Sequence, residues 1–198
     1  MARRNDADAG RPQEPMFDPS QALAGFRIPS DLLIAMDNRE LHFVLQPYHF
    51  IIRATHVLAM AAFFGGIVVL DLRLMGLRAA APLRGFAEHT IPWLYLTFGL
   101  TFVTGVALFL YDPLHVGSHA YFTLKLLFIG LGLVNALAFH RWALGGALKA
   151  ETTMPRSAKI GGAISLGLWV LVMLAASLNV EGPPKILLTG SATAAFSR

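Results

Sequence analysis

Two ionisable side chains, His56 and Lys125, stand in stretches of sequence that are otherwise apolar. An imidazole or an ammonium in such surroundings is costly and marks a ligand site or a partner. A neutral imidazole can ligate a metal or a haem iron, and a nearby ammonium can pair with a haem propionate or another anionic group. Two further histidines, His89 and His140, fall at matching depth at the far ends of neighbouring apolar runs, while His42, His49, His115 and His119 gather near the level of His56. Imidazoles suit copper and zinc as well as iron. His49 precedes His56 by seven residues, about two helical turns, which places both on one face but too far apart to be opposite ligands of one flat haem. His56 and His140 are separated by nearly a whole membrane thickness and cannot share an iron. The cofactor candidates are therefore His56, Lys125, His89 and His140, and the metal candidates are His56, His140, His89, His49, His115 and His119.

Four apolar runs must position these groups: Ala54 to Leu70, Ile91 to Tyr111, Leu126 to Phe139 with its flanks, and Ile160 to Val180. A bilayer core about 30 Å thick needs about 20 mostly apolar residues per helix, and the second and fourth runs reach that without one Asp, Glu, Lys or Arg. The first suffices if the helix starts near His49 and Arg53 snorkels to the interface, and the third includes Lys125 at its edge. The expected spans are 49–72, 89–111, 120–141 and 159–180. The composition, 55% hydrophobic and 14% charged, departs from the roughly 25% charged of soluble domains. The expectation is an all-α fold, an integral membrane four-helix bundle with a short N-terminal amphipathic helix.

A net charge of +4 does not point to nucleic acid, because the positive residues sit in short connections rather than on one polar face. Arg73, Arg78 and Arg84 join the first two spans, and Arg141, Lys149, Arg156 and Lys159 join the last two, whereas Asp112 to His119 contains no Lys or Arg. Positive residues mark cytoplasmic connections, so both termini are expected outside the bacterial inner membrane. No secretory leader is read in residues 1–20, which lack an apolar segment. The absence of cysteine excludes disulfides, thiolate metal sites and iron–sulfur ligation. Residues 1–48 read as a disordered arm followed by an amphipathic helix from Pro29 to Leu45, with Ser30 as N-cap and Pro47 as its end, lying on the outer membrane face. Residues 182–198 read as a loosely ordered tail behind Gly182, Pro183 and Pro184.

Small residues four apart, such as Ala62 and Gly66 or Gly161 and Ser165, allow close helix approach. Trp93, Thr97, Thr101 and Thr104 share one face of the second span, and Ser165, Trp169, Met173 and Ser177 one face of the fourth; both faces are expected to point inward. The pair Asp71 and Arg73 reads as a solvated anchor at the cytoplasmic surface. Patterns for a nucleophile elbow, a zinc protease and a phosphate loop are absent.

The run H-V-L-A-M-A-A-F-F-G-G-I-V-V-L-D-L-R-L-M-G-L (56–77), with I-P-W-L-Y-L (91–96), V-T-G-V-A-L-F (103–109), F-T-L-K (122–125) and V-N-A-L-A-F-H (134–140), resembles a bacterial family of four-helix membrane proteins without an assigned activity, over roughly residues 45–180. That family often carries an acidic residue three before the first-helix histidine, where this chain has Arg53. More distantly the arrangement is similar to cytochrome-b-type haem proteins, to CopD-like copper-resistance proteins and to HemJ-type protoporphyrinogen oxidases, which pair an early histidine with a later lysine, as His56 and Lys125 would. The expectation is a membrane-embedded haem b protein passing electrons to or from quinone or a partner protein, with His56 on one haem and His89 with His140 on a second. The alternatives are a cofactor-free accessory subunit of a larger membrane complex, or a homo-oligomer, and a copper-handling membrane protein.

Overall fold

The computed structural model describes residues 24–77, 83–148 and 154–181. The first 20 residues, read as an arm, and the tail from Gly182 lie outside them. Within the described residues the chain is all-α, a bundle of four long helices. Two short helices, α1 (Ser30–Met36) and α2 (Arg39–Leu45), precede α3 (His49–Leu74), α4 (Leu83–Tyr111), the one-turn α5 (Pro113–Gly117) and α6 (Ala120–Ala138). A π-helical turn, Phe139–Ala143, carries α6 directly into α7 (Leu144–Leu148), and α8 (Arg156–Glu181) completes the bundle. Four helical segments, Arg39–Leu74, Leu83–Tyr111, Ala120–Leu148 and Arg156–Asn179, are long and apolar enough to cross a membrane. Their outward faces carry Phe50, Leu58, Tyr95, Phe102, Val134 and Trp142, all exposed.

The helices form an open row. α3 packs along α4 on one side and α8 on the other, and α6 packs along α8, whereas α4 and α6 meet only sparsely, through the stacked Phe109 and Phe122 rings. Two glycines set the close approaches to α3. A Cβ at Gly66 would meet the Leu94 side chain at 2.7 Å, and one at Gly162 would meet the Asp71 carbonyl oxygen at 3.1 Å. The polar bond across α6 and α8 is Asn135 Nδ2 donating to the Gly161 carbonyl at 3.1 Å. The gap between α4 and α6, floored by α3 and α8, is where the cavities lie.

One end of the bundle is capped by chain rather than by loops. The expected single amphipathic helix is two, broken at Asp37, because Asn38 caps α2 by accepting from the backbone N–H of Glu40 and Leu41. Ser30 is the first helical residue and makes no capping bond. α2 ends at Leu45, as expected, and Pro47 sits in a 3₁₀ turn, Gln46–Tyr48, that feeds α3. α1 does not lie free on a surface: Leu33, 1% exposed, is seated on Gly117 of α5, where a Cβ would come within 2.5 Å of its Cδ2. Asp112 accepts from His115 N–H and Pro113 supplies the first turn, which builds α5 as the counter-surface. His42 donates from Nδ1 to the Tyr111 carbonyl at 2.8 Å, and both His42 and His49 stack on the Tyr111 ring.

The opposite end, which carries the two charged connections, is longer than the sequence predicts. α4 begins at Leu83 rather than 89 because Leu83 and Ala87 are buried, Leu83 in a cluster with Leu74, Ala147 and Ala158, while Arg84 and Glu88 pair on the outside at 2.9 Å. The third long helix passes residue 141 and runs to Leu148 because Ala143 and Ala147 are buried, Ala147 in the cluster with Leu83 and Ala158.

Candidate functional site

The α4–α6 gap is divided into two cavities by an aromatic partition. Phe63 meets Trp169 edge to face at 4.6 Å and Phe98 at 5.3 Å, and all three rings line both cavities. The cavity at the capped end measures about 410 Å³, within the range of small-molecule and cofactor sites, and the one at the charged-loop end about 150 Å³.

His56 and Lys125 line the larger cavity together. The imidazole is fixed from α4. Thr104, buried, donates its single hydroxyl proton to the Leu100 carbonyl at 2.6 Å, so its oxygen accepts from His56 Nδ1–H at 3.0 Å. With Nδ1 carrying the proton, Nε2 is left with a lone pair, the state required of a metal ligand or a proton acceptor. The next residue, Gly105, leaves the space the ring occupies, since a Cβ there would stand 3.0 Å from His56 Cε1. Lys125 is half-buried on α6, its Nζ 5.2 Å from the Phe122 ring centroid, with no carboxylate partner among the described residues. Met60 and Met173 add thioethers, Ile28 and Met36 reach in from the cap, and the stacked Phe109 and Phe122, 5.1 Å apart, bridge α4 and α6.

His56 through Nε2 and Lys125 through Nζ are the groups in this cavity that could hold a cofactor.

The remaining candidates are not drawn together. His89 is exposed, donates from Nδ1 to the Gly85 carbonyl at 2.8 Å and lines neither cavity. His140 lines the smaller cavity, so the expected His89–His140 pair is split. His49 is engaged by Tyr111. His119 donates from Nδ1 to the His115 carbonyl at 3.0 Å, and their rings meet edge to face at 5.8 Å. Among the described residues no three His, Cys, Asp or Glu side chains converge on a metal-sized site.

The smaller cavity holds what the sequence reading missed. Asp71 is not a solvated anchor: it is 3% exposed and lines the cavity beside Ser165, with Oδ2 unbonded. Arg73 instead stacks over Phe86 at 4.7 Å. The available signal was the pair Gly161-Gly162, small enough to let α8 close over an acidic residue on α3. The inward faces also divide. Ser165 and Trp169 are buried as expected, whereas Trp93 is 66% exposed and only the Thr104 end of its stripe is buried. No family model, curated protein or solved structure matches this chain.

Proposed function

We propose that the protein is a membrane-embedded haem b protein that passes electrons to or from quinone or a partner protein, with one haem in the larger cavity. What supports this reading most is the His56–Thr104 bond, which presents an unprotonated Nε2 in an apolar cavity that also holds an unneutralised lysine. His56 would be the axial ligand, Thr104 its orienting partner, Gly105 the space for its ring, and Lys125 the anchor of a propionate. Bound haem would supply a one-electron couple; the chain's part is to keep water out with aromatic walls and to set the potential through burial and the hydrogen bond on His56. His140 and His89 lie apart, so a single haem is proposed rather than a two-haem path across the membrane.

The lipid bilayer would solvate the exposed apolar faces. With the charged connections cytoplasmic, the capped end and both termini face outward across a bacterial inner membrane. The test is a haemin titration of protein purified in mild detergent, read at the Soret band, with His56→Ala and His140→Ala in parallel. Saturation near one haem per chain, lost in His56→Ala and kept in His140→Ala, supports the proposal. A wild type that binds no haem overturns it.

A further inference from the structure

We propose that the smaller cavity is a binding site for a monocyclic hydroxylated aromatic ring, the headgroup of a membrane-soluble quinol, with Asp71 as its hydrogen-bond acceptor. The proposal rests on the electron-carrier reading only for its choice of a redox-active ring; the binding itself is independent of haem.

Size selects the class. A cavity of about 150 Å³ in a well-studied soluble protein accepts one benzene, and the cavity here, about 150 Å³, has the same capacity. A porphyrin is excluded and a single six-membered ring is admitted. Polarity selects the substituent. The walls are largely apolar and aromatic, including Leu94, Phe98, Phe139 and Trp169, but one corner holds Asp71 Oδ2, a buried oxygen with no hydrogen bond. A buried acceptor left without a donor costs about 1–3 kcal/mol, so a ligand that brings an O–H to that atom recovers what the empty site forgoes. The Ser165 hydroxyl is hydrogen-bonded to the carboxyl, and His140 at the exposed edge is placed for a further polar substituent. Access follows from the rim, where Tyr95 on α4 and Ala136 on α6 line the cavity and are exposed. A ring can enter sideways from surrounding lipid while its tail stays outside.

The experiment compares unsubstituted hydroquinone with its dimethyl ether, which has the same ring but no O–H to donate, by equilibrium dialysis against the full chain in nanodiscs, with empty nanodiscs subtracted. Saturable binding of the hydroquinone at least tenfold tighter than of the ether is expected, with that preference abolished in Asp71→Leu and reduced in Asp71→Asn. Because the chain has no cysteine, Ala136→Cys can be folded first and then blocked with N-ethylmaleimide, which is expected to remove hydroquinone binding without any effect of folding. Equal binding of both compounds to wild type, a preference that survives Asp71→Leu, or binding unaffected by the blocked cysteine would each overturn the proposal. Haem loading is read separately, so a failed dialysis with an intact Soret band sinks this site and leaves the haem reading standing.

Discussion

The two cavities carry opposite and unneutralised charge-bearing groups. Among the described residues, Lys125 at the capped end has no carboxylate partner and Asp71 at the charged-loop end has no cation partner. His56 and Asp71 lie fifteen residues apart on α3, about 22 Å at 1.5 Å per residue, and the rings of Phe63, Phe98 and Trp169 stand between the cavities. At such separation the groups do little for each other, so each cavity is left to find its partner in a ligand. Under the two proposals the difference in volume would go with different ligands, an extended, anionic macrocycle at the lysine end and a single ring bearing donors at the aspartate end. The partition is what keeps one gap between α4 and α6 from being one site.

The largest effect is expected from removing the partition. Trp169→Ala takes a buried indole from the core and should cost about 3–5 kcal/mol, read as a lower midpoint of thermal unfolding in detergent. It should also merge the cavities, so that a ring-sized ligand loses its size selection. A smaller loss, about 2–4 kcal/mol confined to one end, is expected of Leu33→Ala, which unseats α1 from Gly117. Hydrogen exchange should speed up in residues 30–45 while Leu83 to Glu88 stay as they were; a uniform change would mean the two ends are not independent.

Thr104→Val keeps the volume but removes the acceptor for His56 Nδ1–H. Loss of such an orienting partner typically lowers affinity about 10–100-fold, so the haemin titration should shift by that factor with binding at the aspartate end untouched. The smallest effect has the opposite sign. Asp71→Leu replaces an unbonded buried acceptor by an apolar group and should stabilise the ligand-free protein by up to about 2 kcal/mol. A fall in the unfolding midpoint would show that Asp71 holds the fold together rather than waiting for a ligand.

The capped-end site was legible because charge inside an apolar run is conspicuous: His56 and Lys125 announce themselves without any knowledge of packing. Asp71 was not, because an acidic residue two before an arginine at the end of a span has the pattern of an interfacial anchor. Its burial depends on how closely α8 approaches at Gly162, a contact between residues far apart in sequence. The four long helices were readable from hydropathy alone, and their ends were not. Leu83 to Glu88 is amphipathic, and its inner face is recognised only once Ala147 and Ala158 are beside it. The cap was read as a surface helix because nothing local reveals that Leu33 has a glycine waiting in α5. Nor does local sequence show that His42 and His49 stack on Tyr111.

The most direct measurement is the oxidised and dithionite-reduced visible spectrum of wild type, His56→Ala and Asp71→Leu, each loaded with haemin under the same conditions. The account predicts a b-type Soret and alpha band in wild type and in Asp71→Leu, and none in His56→Ala. A band of unchanged strength in His56→Ala, or one lost in Asp71→Leu alone, would contradict it.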